Sequence, residues 1–261
     1  MNYVLTNERE EIVFGTDFVI TSIDERGPEI RGEENNILEG FGYNELGSSL
    51  GGRKITLEGY VTGEETGAKK RLLNRIVAGS GDYFYLKDGE TRLKCRLYSG
   101  VEYGKRKHAR EKTTSFRMTL YAPYPAWEET EDTELVFYSC SSSSKADGPI
   151  EIVNSGDVLA GMLIRLVFLV DTTDILLSNG DEFISVKGSF TTGDSLYIDS
   201  RRGQARAYVV YKNQTKEVNA MKYMSLESTL FKLNAGQNLI NFELYGGVAH
   251  MSVTYRQGYL K

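Results

Sequence analysis

The sequence is poor in the residues that most enzymes use for chemistry. It has two histidines, two cysteines, one tryptophan and four prolines in 261 residues. Cys95 and Cys140 are too few for a disulfide framework, and no cysteine pair sits at metal-ligand spacing, so both read as free thiols. Zinc needs four nitrogen or sulfur ligands, or three and a water, whereas these cysteines, His108 and His250 are scattered along the chain. A Ser-His-Asp arrangement needs a histidine held by a carboxylate beside a nucleophile. Nothing in the sequence places Asp194 or Asp199 next to His250, which reads as an outward-facing strand residue. Carboxylates are plentiful (36), so pairs suited to glycoside hydrolysis arise by number alone and no motif selects one. The expectation is a protein without enzymatic activity, metal or cofactor.

Long apolar runs are also missing. None approaches the roughly 20 residues that span a bilayer, and the first residues lack a basic stretch followed by an apolar one. This predicts synthesis and assembly in the cytoplasm, with no membrane partner.

What is present points to strands. Seventeen tyrosines and many Val, Ile and Thr residues favour β-structure, and the length allows two domains with separate cores. The organising stretch is Tyr121 to Gly156. Pro123 and Pro125 stop the preceding strand, Trp127 follows, and an acidic run (Glu128, Glu129, Glu131, Asp132, Glu134) reads as a solvated connection. Domains are therefore expected at 1–130 and 131–261.

In the first half, Arg53 to Val61 alternates cleanly, with Ile55, Leu57 and Val61 on one face. Gly47 to Gly52 reads as a hairpin loop; it is not followed by the Gly-Lys-Ser/Thr and helix of a phosphate loop. One helix is predicted over about 65–78, with Ala68, Leu72, Leu73, Ile76 and Val77 inward. Tyr83–Leu86 and Arg92–Tyr98 flank Asp88-Gly89 as a hairpin. A second hairpin leads out through Val101–Tyr103, carries a tip at 104–112 and returns along Ser115–Tyr121. In the second half, 149–153, 162–170, 182–186, 193–199, 205–211, 239–245 and 248–255 read as short strands, with 162–170 covered on both faces. Many short strands without a helix indicate a β-sandwich or jelly roll.

Charge is unevenly laid out. Residues 1–140 carry 19 basic and 24 acidic side chains, and 141–261 carry 12 of each. Within the acidic half lies one basic island, Arg92 to Arg117, with nine basic residues against two acidic. Its tip residues Lys105, Arg106, Lys107, Arg110 and Lys112 could neutralise phosphates, but no aromatic is interleaved and the surroundings are acidic. Docking of the tip on Glu128, Glu129 and Glu131 of another copy explains the alternating charge blocks better than nucleic acid does. A jelly roll could also stack sugars on exposed rings, from Tyr197, Tyr208, Tyr211, Tyr223, Tyr245, Tyr255 and Tyr259. The simpler reading makes most of these core or interface tyrosines.

Several marks occur in an order and spacing that resemble the distal tail proteins of long, non-contractile-tailed phages of Gram-positive hosts. They are Arg53-Lys-Ile-Thr-Leu57, Tyr124-Pro-Ala-Trp127, Asn154-Ser-Gly-Asp157, Gly193-Asp-Ser-Leu-Tyr-Ile-Asp199, Phe231 to Ile240, and Tyr255 with Tyr259-Leu260. The family's usual Asp-Pro-Tyr-Trp corner reads Tyr124-Pro-Ala-Trp127 here. The resemblance implies a mainly β protein. Its N-terminal sandwich or barrel-like domain, with one α-helix, forms a ring, hexameric by family analogy; its C-terminal domain is a galectin-like or carbohydrate-module-like jelly roll. It also implies a structural hub at the virion tail tip, in a phage or prophage. That hub joins the tail tube protein to a tail-associated adhesin or lysin, with a receptor-binding protein as a further potential partner. The alternative is a module binding host cell-wall carbohydrate; a glycan-active enzyme is a third, more distant reading.

Overall fold

A computed structural model describes residues 3–7, 9–36, 43–78, 83–104, 112–141 and 149–261, without the side chains of 30–49 and 138–141. The chain divides into two compact units: Met1–Thr130 with Leu260–Lys261, and Glu131–Tyr259.

The first unit contains β1 (Tyr3–Thr6), β2 (Glu11–Val13), β3 (Phe18–Glu25), β4 (Ile30–Asn36), β5 (Tyr43–Leu50), β6 (Arg53–Val61), α1 (Thr66–Ala78), β7 (Phe84–Asp88), β8 (Thr91–Tyr103), β9 (Thr114–Ala122) and β10 (Trp127–Glu129). One sheet runs β2-β1-β7-β8-β9-β6-β3, with β10 also paired to β8; β4 and β5 pair with each other. Alternation builds its core. Ile55, Leu57, Val61, Phe84, Leu86, Leu93, Cys95, Phe116, Met118, Leu120 and Trp127 are buried with Leu73, Ile76 and Val77 of α1.

Several local expectations change. Gly47 to Leu50 lies within β5 rather than a loop, because pairing with β4 gives these residues strand partners. Arg92–Tyr98 and Val101–Tyr103 are one strand, β8, whose register shifts near Ser99 take up the glycine. Ala68 faces solvent and Thr66 is buried instead, since the helix begins at Thr66 and its inward stripe is Thr66, Leu73, Ile76 and Val77. The acidic run is not wholly a solvated connection. Glu128 and Glu129 belong to β10, and Thr133 already starts the next strand.

The second unit contains β11 (Thr133–Ser141), β12 (Ile150–Asn154), β13 (Met162–Phe168), β14 (Thr172–Asn179), β15 (Glu182–Phe190), β16 (Ser195–Asp199), β17 (Arg206–Val210), β18 (Glu217–Asn219), β19 (Gly236–Tyr245) and β20 (Val248–Tyr255). Two sheets, β11-β20-β13-β16-β17-β18 and β12-β19-β14-β15, close on a core including Ile164, Leu166, Phe168, Ile175, Val186, Ile198, Phe231, Ile240 and Met251. β13 is central in its sheet but has only one covered face. Met162, Ile164, Leu166 and Phe168 are buried, Leu163 and Val167 are half-buried, and Arg165 is exposed. Strand β14, absent from the sequence reading, pairs between β15 and β19. Buried polar side chains hold the turns. Asp194 accepts from Thr191 N, Thr191 Oγ1 and Lys212 N, while the Asn154 amide donates to Val158 O and accepts from Gly156 N.

Gly59 illustrates how tightly β6 is held. A Cβ there would collide with the Val19 carbonyl oxygen and meet the Phe116 ring at 3.0 Å, whereas one at Gly67 on α1 meets nothing within 4 Å. Gly59→Ala should therefore destabilise by about 2–3 kcal/mol, and Gly67→Ala should stabilise by about 0.5–1 kcal/mol. Urea unfolding midpoints of the two variants against the parent check both signs.

The core also sets a response to alkali. Burial pushes the Cys95 thiol up to about 12 from an ordinary 9.0, a rise that the nearby Arg53 charge only partly offsets. Tyr3 rises to about 12, chiefly by burial and then by the Glu25 charge, and Tyr103 rises to about 12 by burial. Each group stays protonated in the folded chain at pH values where the unfolded chain releases its proton. Their contribution is thus intact below pH 9 and is lost as pH climbs through 9 to 12. The unfolding midpoint should fall over that window. A Cys95→Ala variant should fall less steeply between pH 9 and the tyrosine range, which a urea series across pH measures.

Candidate interface

The residues singled out for docking do not assemble into one site among the described residues. Lys105, Arg106, Lys107 and Arg110 lie outside those residues. Lys112 pairs with Glu64 of its own chain at 2.9 Å, both side chains being exposed. Glu128 lies opposite Arg92 and Glu129 opposite Thr91 in the β10–β8 ladder. Glu131 is exposed at the start of the second unit, and its neighbour Asp132 is held by Arg256 at 2.7 Å. The acidic run is therefore partly committed to its own chain.

The other part of the basic island has a place of its own. Along β8 the buried residues Leu93 and Cys95 alternate with Arg92, Lys94 and Arg96, which point to the opposite, outer face. Register brings Lys87 opposite Arg92, Tyr85 opposite Lys94, and Tyr121 between Arg96 and Lys54. The rings pack against the cations: Lys54 on Tyr98 at 4.3 Å, Lys94 on Tyr83 at 4.6 Å, Arg92 on Tyr85 at 4.7 Å and Arg96 on Tyr121 at 5.1 Å. Tyr98 and Tyr83 remain 58% and 41% exposed. Sequence reasoning placed the island's role at the hairpin tip and missed this face. Alternation along 92–96 was the available signal; Lys54 and Lys87 join only through strand pairing.

The tyrosine pool of the second unit divides by surroundings. Tyr255 is buried, with its hydroxyl donating to Val153 O at 2.9 Å. Tyr197 and Tyr208 stack on each other with centroids 4.7 Å apart, and Arg165 and Arg206 lie over them. The faces that would stack on a sugar are thus occupied. Tyr211 and Tyr223 share a hydrogen bond, Tyr259 donates to Gln257, and Tyr245 is exposed with its hydroxyl near Glu243. His250 alternates with buried Ala249 and Met251, on the outer face of β20. Among the described residues, no group of three or more His, Cys, Asp or Glu side chains could hold a metal ion. No helix among them is long and apolar enough to cross a membrane.

A cavity of about 580 Å³ opens in the first unit between β3 and the β1–β2 end, lined by Tyr3, Phe14 and Val19 to Ile23. Tyr3 donates to Glu25 there at 3.3 Å. Among the described residues its lining carries the Thr21 and Ser22 hydroxyls and the Glu25 carboxylate, with no histidine, lysine or arginine.

The family model of the siphovirus-type tail component, C-terminal domain, matches residues 155–259. No curated protein sequence matches the chain. Among solved structures, the SPP1 Dit (gp 19.1) protein is described as a paradigm of hub adsorption apparatus in phages infecting Gram-positive hosts. It is 14% identical to this chain, with a TM-score of 0.74 over 99% of each chain. A chain of the phage P2 baseplate in its activated conformation with calcium is 12% identical, with a TM-score of 0.53 over 98% of this chain and 97% of that one. The phage p2 baseplate with strontium gives 13% identity and a TM-score of 0.52 over 98% of each. Residues 155–259 thus match the C-terminal domain model of the siphovirus-type tail components, and over nearly its whole length the chain has a fold similar to that of SPP1 Dit.

Proposed function

We propose that this protein is a structural hub subunit of a siphophage tail tip. The first unit forms a homo-oligomeric ring, hexameric in the reading taken here, beneath the tail tube. The second unit faces outward, and the ring joins the tube protein to the tail-associated adhesion or lysis protein. The observation that carries this reading is the likeness to SPP1 Dit across both units at once, together with the family match in the second. A hub works by holding partners in register, which needs surfaces and not a catalytic constellation. Occupied ring faces at Tyr197 and Tyr208 weigh against the alternative of a sugar-stacking module.

A closed ring uses heterologous contacts, in which one surface meets a different one on the next copy. In this reading the basic tip 105–112 reaches a neighbouring copy or the tube. Exposed ion pairs contribute only about 0–1 kcal/mol each, but several converging at an interface set register and speed association. Purified protein should show rings by negative-stain electron microscopy. Reversing Lys105, Arg106 and Lys107 to Glu should weaken the oligomers by light scattering and leave the melting temperature of the subunit nearly unchanged. High salt should act in the same direction, more weakly. Assembly of the triple variant like the parent at both salt levels would remove the tip from the interface.

A further inference from the structure

The outer face of β7-β8-β9-β6 has no role in the reading above. It gathers Lys54, Lys87, Arg92, Lys94 and Arg96 with Tyr83, Tyr85, Tyr98 and Tyr121 in a chain whose net charge is −5. Among the described residues none of these five cations is in an ion pair, although nine ion pairs occur elsewhere. Like charges brought this close repel one another, so the arrangement does not stabilise the subunit by itself. Four of them, Lys54, Arg92, Lys94 and Arg96, instead lie against tyrosine rings at 4.3 to 5.1 Å, which holds them in place before any partner arrives. Groups fixed in advance lose less freedom on binding. Tyrosine and arginine are also the residues that contribute most at protein interfaces.

The ends of the patch narrow the choice of occupant. Glu128 stands opposite Arg92 at one end, and Arg117 pairs with Glu58 at 3.2 Å at the other. A continuous polyanion such as a nucleic acid strand running past either end would meet carboxylates. A protein surface with a confined group of acids fits between them. The rest of the first unit has such a balance of charge: residues 1–130 with 260–261 carry 20 basic and 21 acidic side chains, and removing these five leaves 15 against 21. We infer that this basic, tyrosine-lined face is the surface on which a second copy of the chain docks through a carboxylate-bearing face of its own first unit. The inference rests on the ring reading and is separate from the hairpin tip.

The test uses the full chain, with Lys94→Glu and Arg96→Glu combined, since both side chains are exposed and clear of the core. Sedimentation velocity at low and high salt reads self-association of parent and variant, and binding of a labelled oligothymidylate is followed by anisotropy. The parent should self-associate, and the double variant should do so about tenfold or more weakly at low salt, with the gap narrowing as salt screens the contact. Oligothymidylate should bind neither. If the melting temperature of the double variant falls, Lys54→Ser with Tyr98→Ser tests the same face with no new charge. Rings from either folded variant at parental strength would overturn this inference and leave the ring reading standing. A parent that stays monomeric at high concentration would overturn both. Oligothymidylate binding that the double variant loses would reassign the face to nucleic acid.

Discussion

The first unit depends on the period of two along β8. This thirteen-residue strand pairs with β7 over its first part and with β9 over its last, and it also carries β10. A single alternation therefore decides two things. Leu93 and Cys95 go into a core shared by two ladders, and Arg92, Lys94 and Arg96 go to the outside of the same strand. A slip of one residue would exchange these sets and bury three cations, so the core and the charged face have one register in common. The helix secures this arrangement from the core side, where Leu73, Ile76 and Val77 pack with the sheet residues.

The second unit solves a different problem. Its two sheets need tight connections, and these place polar groups where water does not reach. Asp194, Asp199, Asn154 and Asn238 are buried, and each has hydrogen-bond partners that define a local turn or strand end. Asp199 takes both arms of Arg201 at 2.9 and 2.8 Å. Asn154 lies in the Asn154-Ser-Gly mark, Asp194 and Asp199 in Gly193–Asp199, and Asn238 in Phe231 to Ile240. Buried, hydrogen-bonded carboxylates and amides make such connections rigid.

Charge is the property in which sequence and structure part most clearly. The basic island is continuous in sequence but divides in space. Lys112 turns to Glu64, Arg117 to Glu58, and Arg92, Lys94 and Arg96 meet Lys54 and Lys87 from distant strands. The acidic run divides too, between β10 and the Asp132–Arg256 pair. A charge run read along the chain gives the amount of charge, and the sheet decides which neighbours it has.

The sequence by itself determined the inward face of Arg53–Val61, the strand at 239–245, the helix near 65–78, the stop at Pro123 and the scarcity of catalytic side chains. Alternation, helical spacing and proline geometry act within a few residues, so they are legible locally. Only the tertiary structure decided that Gly47–Leu50 is strand, that 91–103 is one strand and not two, and that Lys54 shares a face with Arg96. These depend on pairing between segments tens of residues apart. A pleated strand shows its two faces in its own sequence, but nothing local states which strand lies beside it.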